Sequence, residues 1–418
     1  MASATFEAPA APPAGVFSER NMRWYLGGQL VSLTGSLLQS AVLSLLIIKI
    51  VGRDGAALWV GTVGALNLAP GAILGPFAGL LLDGYSKKGI LIMTGILGAA
   101  QSATLALLVF ENRITIGEII ALAALMGFVN AIDGPGRNAI VKDAVLDPRN
   151  VRAASKWFTS LYNIAMLAGP GCAGYLVLTV GYGGTFVLNC LSFVVLVVAL
   201  LKMRMVACHG NGLAVARWVS TANRGMGYVL GNPGIRLCVL LSSVVTGCGF
   251  SYYALLAVIA RDMFGGGPIV YSRLAASSGA GTLLGSFIVI VFDRHCSHRT
   301  FLAAGTGILG GSLLALSRTG SVPVALVLIF VIGASVMVSF STLRSSITHL
   351  SDPKLMGIVM GVAFSFFYGS MTVGYFGGGY VANRWGCPFE IALCGTILIV
   401  TAAAIPFLPG VGALDAKH

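Results

Sequence analysis

The chain has 418 residues, of which 56% are hydrophobic and 10% are charged, and its mean hydropathy is +0.89. Water-soluble domains carry about 25% charged residues, so this composition excludes a soluble globular protein. At about 20 residues per membrane-spanning helix, the length allows about twelve spans with their loops. In a membrane protein, the formal net charge of +12 is first a signal of topology, and we expect no nucleic-acid partner.

Apolar runs of about 17 to 25 residues, separated by charged residues or by Gly and Pro, predict twelve transmembrane helices. These spans lie near residues 24–50, 57–82, 89–110, 114–133, 153–178, 184–203, 236–261, 268–292, 300–317, 321–343, 355–381 and 388–408. The predicted fold class is therefore an all-α polytopic membrane protein.

The spans divide the chain into two six-helix halves with short flanking segments. The predicted divisions are a disordered cytosolic tail (1–19), an N-terminal half (20–203), a weakly amphipathic cytosolic linker helix (204–235), a C-terminal half (236–410) and a cytosolic tail (411–418). Internal repetition supports the division. Asp83 matches Asp293 at an offset of 210 residues, and Asp147-Pro148-Arg149 matches Asp352-Pro353-Lys354 at an offset of 205.

The lysines and arginines predict the orientation. An even number of spans places both termini on one side, and the loops of the opposite side contain only 7 of the 26 basic residues. The other 19 lie on the side of the termini, so the positive-inside rule predicts that both termini are cytoplasmic. We expect a multi-pass protein of the bacterial inner (plasma) membrane.

The eight cysteines are scattered, mostly in apolar runs, and none forms a CxxC pair. The sequence therefore predicts neither a disulfide framework nor a zinc site, and we expect no metal and no cofactor. A P-loop motif of the form GxxxxGK[ST] is also absent from the sequence. If the chain transports a solute, the energy is expected to come from an ion gradient.

Two loop segments carry a family resemblance. The segment from Gly79 to Lys88, with Asp83 followed by Lys87 and Lys88, resembles motif A of the major facilitator superfamily. The segment Asn130-Ala131-Ile132-Asp133-Gly134-Pro135-Gly136-Arg137 is similar to the branch that contains the enterobactin exporter and several drug exporters. The resemblance implies a twelve-helix major facilitator fold with two pseudo-symmetric halves.

A third segment bears on the direction of transport. Gly169-Pro170-Gly171-Cys172-Ala173-Gly174 resembles the C-terminal part of the antiporter motif in span five, with Gly169, Pro170 and Gly174 as the matching residues. In the family this motif accompanies export, so the resemblance implies outward transport. The arginine of the family's motif B is replaced by Ala123, which leaves proton coupling through that position without its usual residue.

Polar residues at helical spacing in spans one, seven and ten predict a polar pathway between the halves. The resemblance implies that these spans and span four line the cavity. The predicted cavity residues are Gln29, Ser32, Ser36, Gln39, Asn130, Thr246, Tyr252, Tyr253, Ser335, Ser339 and Tyr368. Aromatic rings, Tyr162 among them, are suited to stack on a substrate ring. The alternative is that the Ser, Thr and Gln side chains form hydrogen bonds between helices.

Few acidic residues lie within the predicted spans. Glu118, a few residues into the outer end of span four, is the candidate for proton coupling. The alternative is a solvated acid at a helix start, where the helix dipole favours a negative charge.

Other charged residues gather at the predicted cytoplasmic ends and form a predicted gate. Its members are Asp83, Lys87, Lys88, Asp133, Arg137, Arg344 and Asp352. We expect their ion pairs to form when the pathway is closed to the cytoplasm and to break when it opens.

These observations predict a secondary active exporter, monomeric in the lipid bilayer, that moves an amphiphilic small molecule by alternating access with H⁺ as the expected coupling ion. The substrate class, a siderophore or a drug-like compound, is implied by the resemblance alone. Alternatives on the same fold are a nutrient importer and a lysophospholipid flippase. An intramembrane enzyme is a third alternative, although none of the five histidines lies in a predicted span.

Overall fold

The structure is a computed structural model that describes residues 16–52, 55–84, 86–145, 148–204, 215–292, 297–353 and 355–408. In these ranges the chain forms thirteen α-helices and short 3-10 turns, without a β-strand. The helices are α1 (Arg20–Val51), α2 (Ala56–Gly84), α3 (Lys87–Phe110), α4 (Ile116–Ala144), α5 (Val151–Lys202), α6 (Val215–Gly231), α7 (Pro233–Ala254), α8 (Leu256–Asp262), α9 (Pro268–Phe292), α10 (His298–Arg318), α11 (Val322–Leu350), α12 (Met356–Trp385) and α13 (Cys387–Ala404).

Eleven helices of the described ranges are long and apolar enough to cross a membrane. One of them, α5, crosses twice, because its 52 residues are interrupted at Gly181, where φ is 74° and ψ is 176°. Only glycine adopts such a backbone conformation without strain. The two segments of α5, 151–180 and 182–202, bring the number of spans to twelve, which confirms the predicted fold class.

Two helices are longer than their hydropathy predicts. The prediction that span four ends at residue 133 was wrong, because α4 continues through Pro135 to Ala144. The predicted end of span ten at residue 343 was also wrong, because α11 continues to Leu350. Asp133 and Arg137 form a buried ion pair across the predicted boundary of α4. Hydropathy scores these two residues as unfavourable, although packing keeps them inside the helix bundle.

The helices pack into two groups. In the first group α1 and α3 pack against α5, and α2 packs against α4; in the second, α9 packs against α11 and α10 against α13. The groups meet where α2 packs against α12 and where α5 packs against α9. The helix α6 lies within the predicted linker and contacts α12, with Gly225 against Ile358. Residues 1–15 and 411–418 of the predicted tails lie outside the described residues.

The two ends of the bundle are named from the chain. The terminal end is the end at which α1 begins, and the distal end is the opposite one. Because successive spans alternate in direction, α6 and the starts of α3, α5 and α7 lie at the terminal end. The α1–α2 and α7–α9 connections lie at the distal end.

Candidate functional site

The halves are in close contact along α2 and α12. A Cβ atom added to Gly379 of α12 would lie 2.7 Å from the carbonyl oxygen of Ala57 and 3.0 Å from the Cα of Gly61, both on α2. These distances are shorter than real Cβ contacts, so only glycine permits this approach of the two backbones. At the distal end the Arg261 guanidinium also donates to the carbonyl oxygen of Gly52 at 2.6 Å. The pathway between the halves is therefore closed at the distal end.

The second contact between the halves involves the antiporter-like motif in α5. The Ser272 hydroxyl of α9 accepts a hydrogen bond from the backbone N–H of Gly174 at 2.6 Å and donates to the carbonyl oxygen of Pro170 at 3.1 Å. A side chain from the other half therefore bonds to the backbone of α5 at both Gly174 and Pro170. On the opposite face Gly169 packs against the backbone of α1. A Cβ atom added to Gly169 would lie 2.8 Å from the carbonyl oxygen of Thr34.

Tyrosines from both halves surround an exposed space between these contacts. The ring of Tyr162 on α5 is 42% exposed although it lies within electrostatic reach of Tyr253 on α7 and Tyr368 on α12. Tyr368 is 39% exposed. We infer that Tyr162 and Tyr368, which are both exposed and lie near each other across the halves, border a cavity within the bundle. In the described part of the chain, α4 and α11 are not closely packed against each other on its terminal side.

Further aromatic rings lie beside Tyr368 in the second half. The Phe364 and Tyr368 rings are 6.5 Å apart, and the Arg344 guanidinium lies 5.6 Å from the centroid of the Phe364 ring. A cation held over an aromatic face is a favourable electrostatic arrangement. Arg344, predicted as a gate residue, is therefore placed beside the aromatic rings.

Asp133 and Arg137, both members of the predicted gate, form a buried ion pair within α4. The Arg137 guanidinium also donates to Gln29 Oε1 at 2.5 Å and to Ser32 Oγ at 3.4 Å, and the Thr94 hydroxyl donates to Asp133 Oδ1 at 2.8 Å. All of these partners belong to the first half. Two residues of the predicted cavity, Gln29 and Ser32, are thus joined to two residues of the predicted gate.

Gln39 lies in a second buried network, which contains no charge. Its Oε1 atom accepts from the Ser102 hydroxyl at 2.8 Å and from Asn189 Nδ2 at 2.9 Å, and its Nε2 atom donates to Gln101 Oε1 at 2.9 Å. These residues connect α1 with α3 and with the second segment of α5. The contacts correspond to the interhelical alternative for this residue.

The other predicted cavity residues differ in exposure. Asn130 is exposed and Ser36 and Tyr253 are half-buried, whereas Thr246, Tyr252, Ser335 and Ser339 are buried. Their side-chain partners are as follows: Asn130 with Asn67, Ser36 with the Ser32 carbonyl, Thr246 with Ser370, Tyr252 with Ser278, and Ser339 with Thr306. Asn130 is therefore the exposed member of this set, and the buried members lie between helices.

The lysines of the predicted gate have partners in their own half. Lys87 Nζ lies 2.8 Å from Asp143 Oδ2, and Lys88 Nζ donates to the carbonyl oxygen of Met203 at 2.8 Å. The backbone N–H of Asp352 donates to the Tyr228 hydroxyl of α6 at 3.2 Å. The side chain of Asp83 lies outside the described part of the chain.

Glu118 closes a capping box at the start of α4. Its Oε2 atom accepts from the backbone N–H of Thr115 at 2.8 Å, while the Thr115 hydroxyl accepts from the backbone N–H of Glu118. This reciprocal pair satisfies two backbone donors at the helix start. The carboxylate thus has the contacts expected for the helix-start alternative.

Sequence reasoning missed two residues, Ser272 and Glu390. Ser272 is one of many small polar residues in apolar runs, and no spacing distinguishes it. Glu390 is 1% exposed in the first turn of α13, with its Oε1 atom 2.5 Å from Ser251 Oγ. The available signal was an acidic residue at the edge of a predicted span, as for Glu118, but sequence alone does not reveal which of the two is enclosed.

Comparison with known proteins agrees with this architecture. The sequence profile of a family described as transmembrane secretion effector matches residues 11–417. Macrolide efflux protein A of Streptococcus pyogenes is 23% identical over 398 residues, which are 93% of this chain and 96% of that protein. The multidrug efflux pump Tap of Mycolicibacterium fortuitum is 21% identical over 374 residues, 87% and 90% of the two chains. The staphyloferrin A transporter of Staphylococcus aureus is 24% identical over 240 residues, 56% and 58% of the two chains.

Solved structures share the fold at low identity. A D-xylose–proton symporter superposes with a TM-score of 0.74 at 13% identity, covering 95% of this chain and 99% of the other. A bacterial homologue of the lysosomal transporter Spinster, in an inward-facing and unoccupied conformation, also gives 0.74 at 13% identity, covering 95% and 98%. The predicted resemblance to the major facilitator superfamily is confirmed, and the alternative of an intramembrane enzyme was wrong.

Proposed function

Because the chain belongs to the transmembrane secretion effector family of major facilitator transporters, we propose that it exports an amphiphilic, drug-like or siderophore-like small molecule from the cytoplasm by alternating access. The observation that carries the proposal is that Tyr162 and Tyr368, exposed tyrosines of the two halves, lie near each other within the bundle. Aromatic rings bind an apolar or aromatic portion of a ligand, while their hydroxyls and Arg344 bind its polar groups.

The relatives favour export over import or lipid flipping. Two of them are efflux proteins by name, for macrolides and for multiple drugs, and the match extends over most of each chain. The staphyloferrin A transporter supports the siderophore class of substrate, although it matches over a shorter part of the chain. We therefore take macrolides as the first substrate to test and siderophores as the second.

The predicted orientation places the terminal end in the cytoplasm, because 19 of the 26 basic residues belong to that side. With the distal end closed by α2, α12 and Arg261, the structure then represents a state from which the cavity loads its substrate from the cytoplasm. The energy source is an ion gradient, with H⁺ as the proposed coupling ion. The protein acts as a monomer.

The export test measures erythromycin, ethidium and a siderophore in cells with and without the protein, and with and without a protonophore. The expected result is lower accumulation of at least one compound in expressing cells, restored by the protonophore. Equal accumulation of all three compounds with and without the protein would overturn the export proposal, and increased accumulation would favour an importer.

A matched pair of variants tests the cavity. Tyr162→Ala removes a ring that faces the other half, whereas Tyr175→Ala removes a ring of the same helix with a similar exposure, 48% against 42%. We expect Tyr162→Ala to raise the KM for the transported compound at least about threefold and Tyr175→Ala to leave it unchanged. Equal effects of the two variants would contradict the assignment of the cavity.

A second pair tests alternating access at the α2–α12 contact. Gly379→Ala places a Cβ atom against the backbone of Ala57, whereas a Cβ atom at Gly377 of the same helix meets nothing within 4 Å. Gly379→Ala is therefore expected to disfavour distal closure and to reduce transport, while Gly377→Ala transports normally. The distance between spin labels on α2 and α12 at the distal end reports the closure directly. An unchanged distance distribution in Gly379→Ala would contradict the role of this contact.

A further inference from the structure

Glu390 is an acidic side chain enclosed within the second half of the bundle. It is 1% exposed and lies in the first turn of α13, at the distal end. Its carboxyl group faces the last turn of α7 and Gly378 of α12, where an added Cβ atom would lie 2.9 Å from Glu390 Oε1. Three helices therefore enclose the carboxyl group.

The two oxygens of Glu390 have different surroundings. Oε1 lies 2.5 Å from the Ser251 hydroxyl oxygen and 3.3 Å from Cys394 Sγ. Oε2 is buried and has no hydrogen-bond partner among the described residues. A buried ionised carboxylate normally has a cation or several donors around it, so this arrangement is unusual for the charged form.

The hydrogen bonds are satisfied when Glu390 carries a proton. The Ser251 oxygen lies 3.1 Å from the carbonyl oxygen of Gly374 as well as 2.5 Å from Glu390. A protonated Glu390 donates to the Ser251 oxygen, and the single Ser251 proton is donated to Gly374. If Glu390 is ionised, Ser251 has one proton for two acceptors, and Oε2 bears buried negative charge without a donor. The geometry therefore favours the protonated acid in this conformation.

Among the described residues, the groups around Glu390 provide no counter-charge at the carboxyl. The thiol of Cys248 contacts that of Cys394, and both lie within electrostatic reach of Glu390, as does the Cys387 thiol of α13. The charged residues on α8, Arg261 and Asp262, lie near Cys387 and bind each other. Arg261 is also held by the Gly52 carbonyl. In the described part of α12, the residues beside the carboxyl group are Gly374 and Gly378, which do not titrate.

The position of Glu390 connects it with the contact between the halves. Gly378 faces Glu390, and the next residue, Gly379, faces Ala57 and Gly61 of α2. Ser251 is followed along α7 by Tyr252 and by the half-buried Tyr253, which lies at the aromatic cavity. The residue of α12 that faces Glu390 is thus adjacent to the residue that forms the α2–α12 contact. The residue of α7 that bonds to Glu390, Ser251, is two positions from Tyr253.

We propose that Glu390 is the residue that binds the coupling proton, in a site completed by Ser251 and the backbone of α12. This inference rests on the proposed function and adds a residue to it. The proton enters from the distal side while the α2–α12 contact is open, and the enclosed acid carries it into the distal-closed state. On release the O–H bond of Glu390 breaks, the carboxylate keeps the electron pair, and the proton passes to water in the cavity. Substrate binding beside Tyr253 promotes this release through α7.

The first test requires no substrate. Infrared spectra of the full chain in lipid nanodiscs are recorded across a pH titration, and the carbonyl band of protonated carboxylic acids is compared between the wild type and Glu390→Gln. We expect a band at neutral pH in the wild type that is absent from Glu390→Gln. Glu118→Gln, at the start of α4, is the matched control and is expected to retain the band. Glu390→Asp keeps a carboxyl group and is expected to show a protonated band at a shifted position.

The second test uses erythromycin in inside-out vesicles with an imposed pH gradient. We expect Glu390→Gln to reduce gradient-driven accumulation at least about tenfold, because a neutral side chain cannot take up and release the coupling proton. Glu118→Gln is expected to accumulate erythromycin as the wild type does. The amide bands of the infrared spectra, expected to be the same in Glu390→Gln and the wild type, show that the variant is folded.

The outcomes separate the two proposals. A protonated band that persists in Glu390→Gln, or undiminished gradient-driven accumulation by this variant, would overturn the assignment of Glu390. If wild-type vesicles accumulate neither erythromycin nor the other compounds of the export test, the proposed function fails. The infrared comparison then still decides whether Glu390 holds a proton.

Discussion

The two halves of the molecule each bury a carboxylic acid, and the two acids have opposite surroundings. Asp133 in the first half is 6% exposed and is paired with Arg137, which is 5% exposed and is itself bound by Gln29 and Ser32. Glu390 in the second half is 1% exposed and has a hydroxyl and a thiol for neighbours. One acid has a permanent cation beside it, and the other has none among the described residues that bind it.

This difference indicates which of the two buried acids is suited to exchange a proton. Asp133 and the Arg137 guanidinium compensate each other's buried charge, and loss of either partner would leave the other uncompensated. Asp133 is therefore suited to hold α1, α3 and α4 together. An acid without a cation changes its charge at a smaller cost when its environment changes, so Glu390 is suited to respond to the conformation.

The largest expected effect on stability comes from removing Arg137, the buried cation of the first half. Arg137→Met leaves Asp133 buried with the Thr94 hydroxyl as its remaining side-chain partner. Breaking one partner from a buried ion pair typically costs about 3–5 kcal/mol, and we expect a loss of this size in the free energy of unfolding, measured in detergent micelles.

The double variant Asp133→Asn/Arg137→Met is the control, because it removes both charges together. It is expected to recover most of the lost stability, since an uncharged pair of similar size leaves no uncompensated charge. If the single and the double variant were equally unstable, the loss would come from packing. Asp133 would then not differ from Glu390 in its need for a cation.

An intermediate effect is expected from the uncharged network around Gln39. Gln39→Leu deprives Ser102, Asn189 and Gln101 of a partner in a buried site. Side-chain hydrogen bonds in membrane proteins contribute about 0.6 kcal/mol each on average, so we expect the free energy of unfolding to fall by about 1–2 kcal/mol. The KM for a transported compound is expected to stay unchanged, because these partners connect helices of the first half.

A transport assay distinguishes the two roles considered for Gln39. If Gln39→Leu raised the KM as much as Tyr162→Ala does, the side chain would contact substrate in another conformation, and the network would be only one of its states. An unchanged KM with lowered stability would instead group Gln39 with Asp133 as residues that hold the first half together.

The spans were predictable because hydropathy and length depend on local sequence. The break at Gly181 hides the fifth and sixth spans within one continuous helix, yet the two apolar runs 153–178 and 184–203 were separable by their glycines and Tyr182. The end of α4 was not predictable from hydropathy, because a buried Asp133–Arg137 pair reads as a polar boundary. The spacing of four between these residues is compatible with a pair on one helical face, but it does not distinguish this from a pair across the bundle.

The environment of an isolated polar residue was not predictable, since it depends on residues distant in the chain. Glu390 is enclosed by Ser251, 139 positions earlier, and Ser272 bonds to Gly174 across 98 positions. Glu118 and Glu390 occupy similar places at helix starts, and only the tertiary structure separates a capping residue from an enclosed acid. Glutamines at helical spacing likewise indicated a polar face without revealing whether it meets a cavity or a neighbouring helix.

The smallest effect is expected at the exposed ion pair of the first half, which tests whether burial is what matters in the comparison. Lys87 and Asp143 lie 2.8 Å apart, and their side chains are 25% and 34% exposed. Exposed pairs contribute about 0–1 kcal/mol and are screened by salt. We therefore expect Lys87→Met to change the free energy of unfolding by less than about 1 kcal/mol, and by less still at high ionic strength.

Lys87 is also a member of the predicted gate, so its effect on transport is expected to exceed its effect on stability. Unfolding and transport are measured on the same preparation, with Arg113→Met as a control, since Arg113 pairs with Glu111 at the distal end and is 77% exposed. A slower transport cycle in Lys87→Met with near-normal stability would support a gating role for this pair, because a weak pair biases a conformational equilibrium without holding the fold together. Normal transport in both variants would exclude Lys87 from the gate.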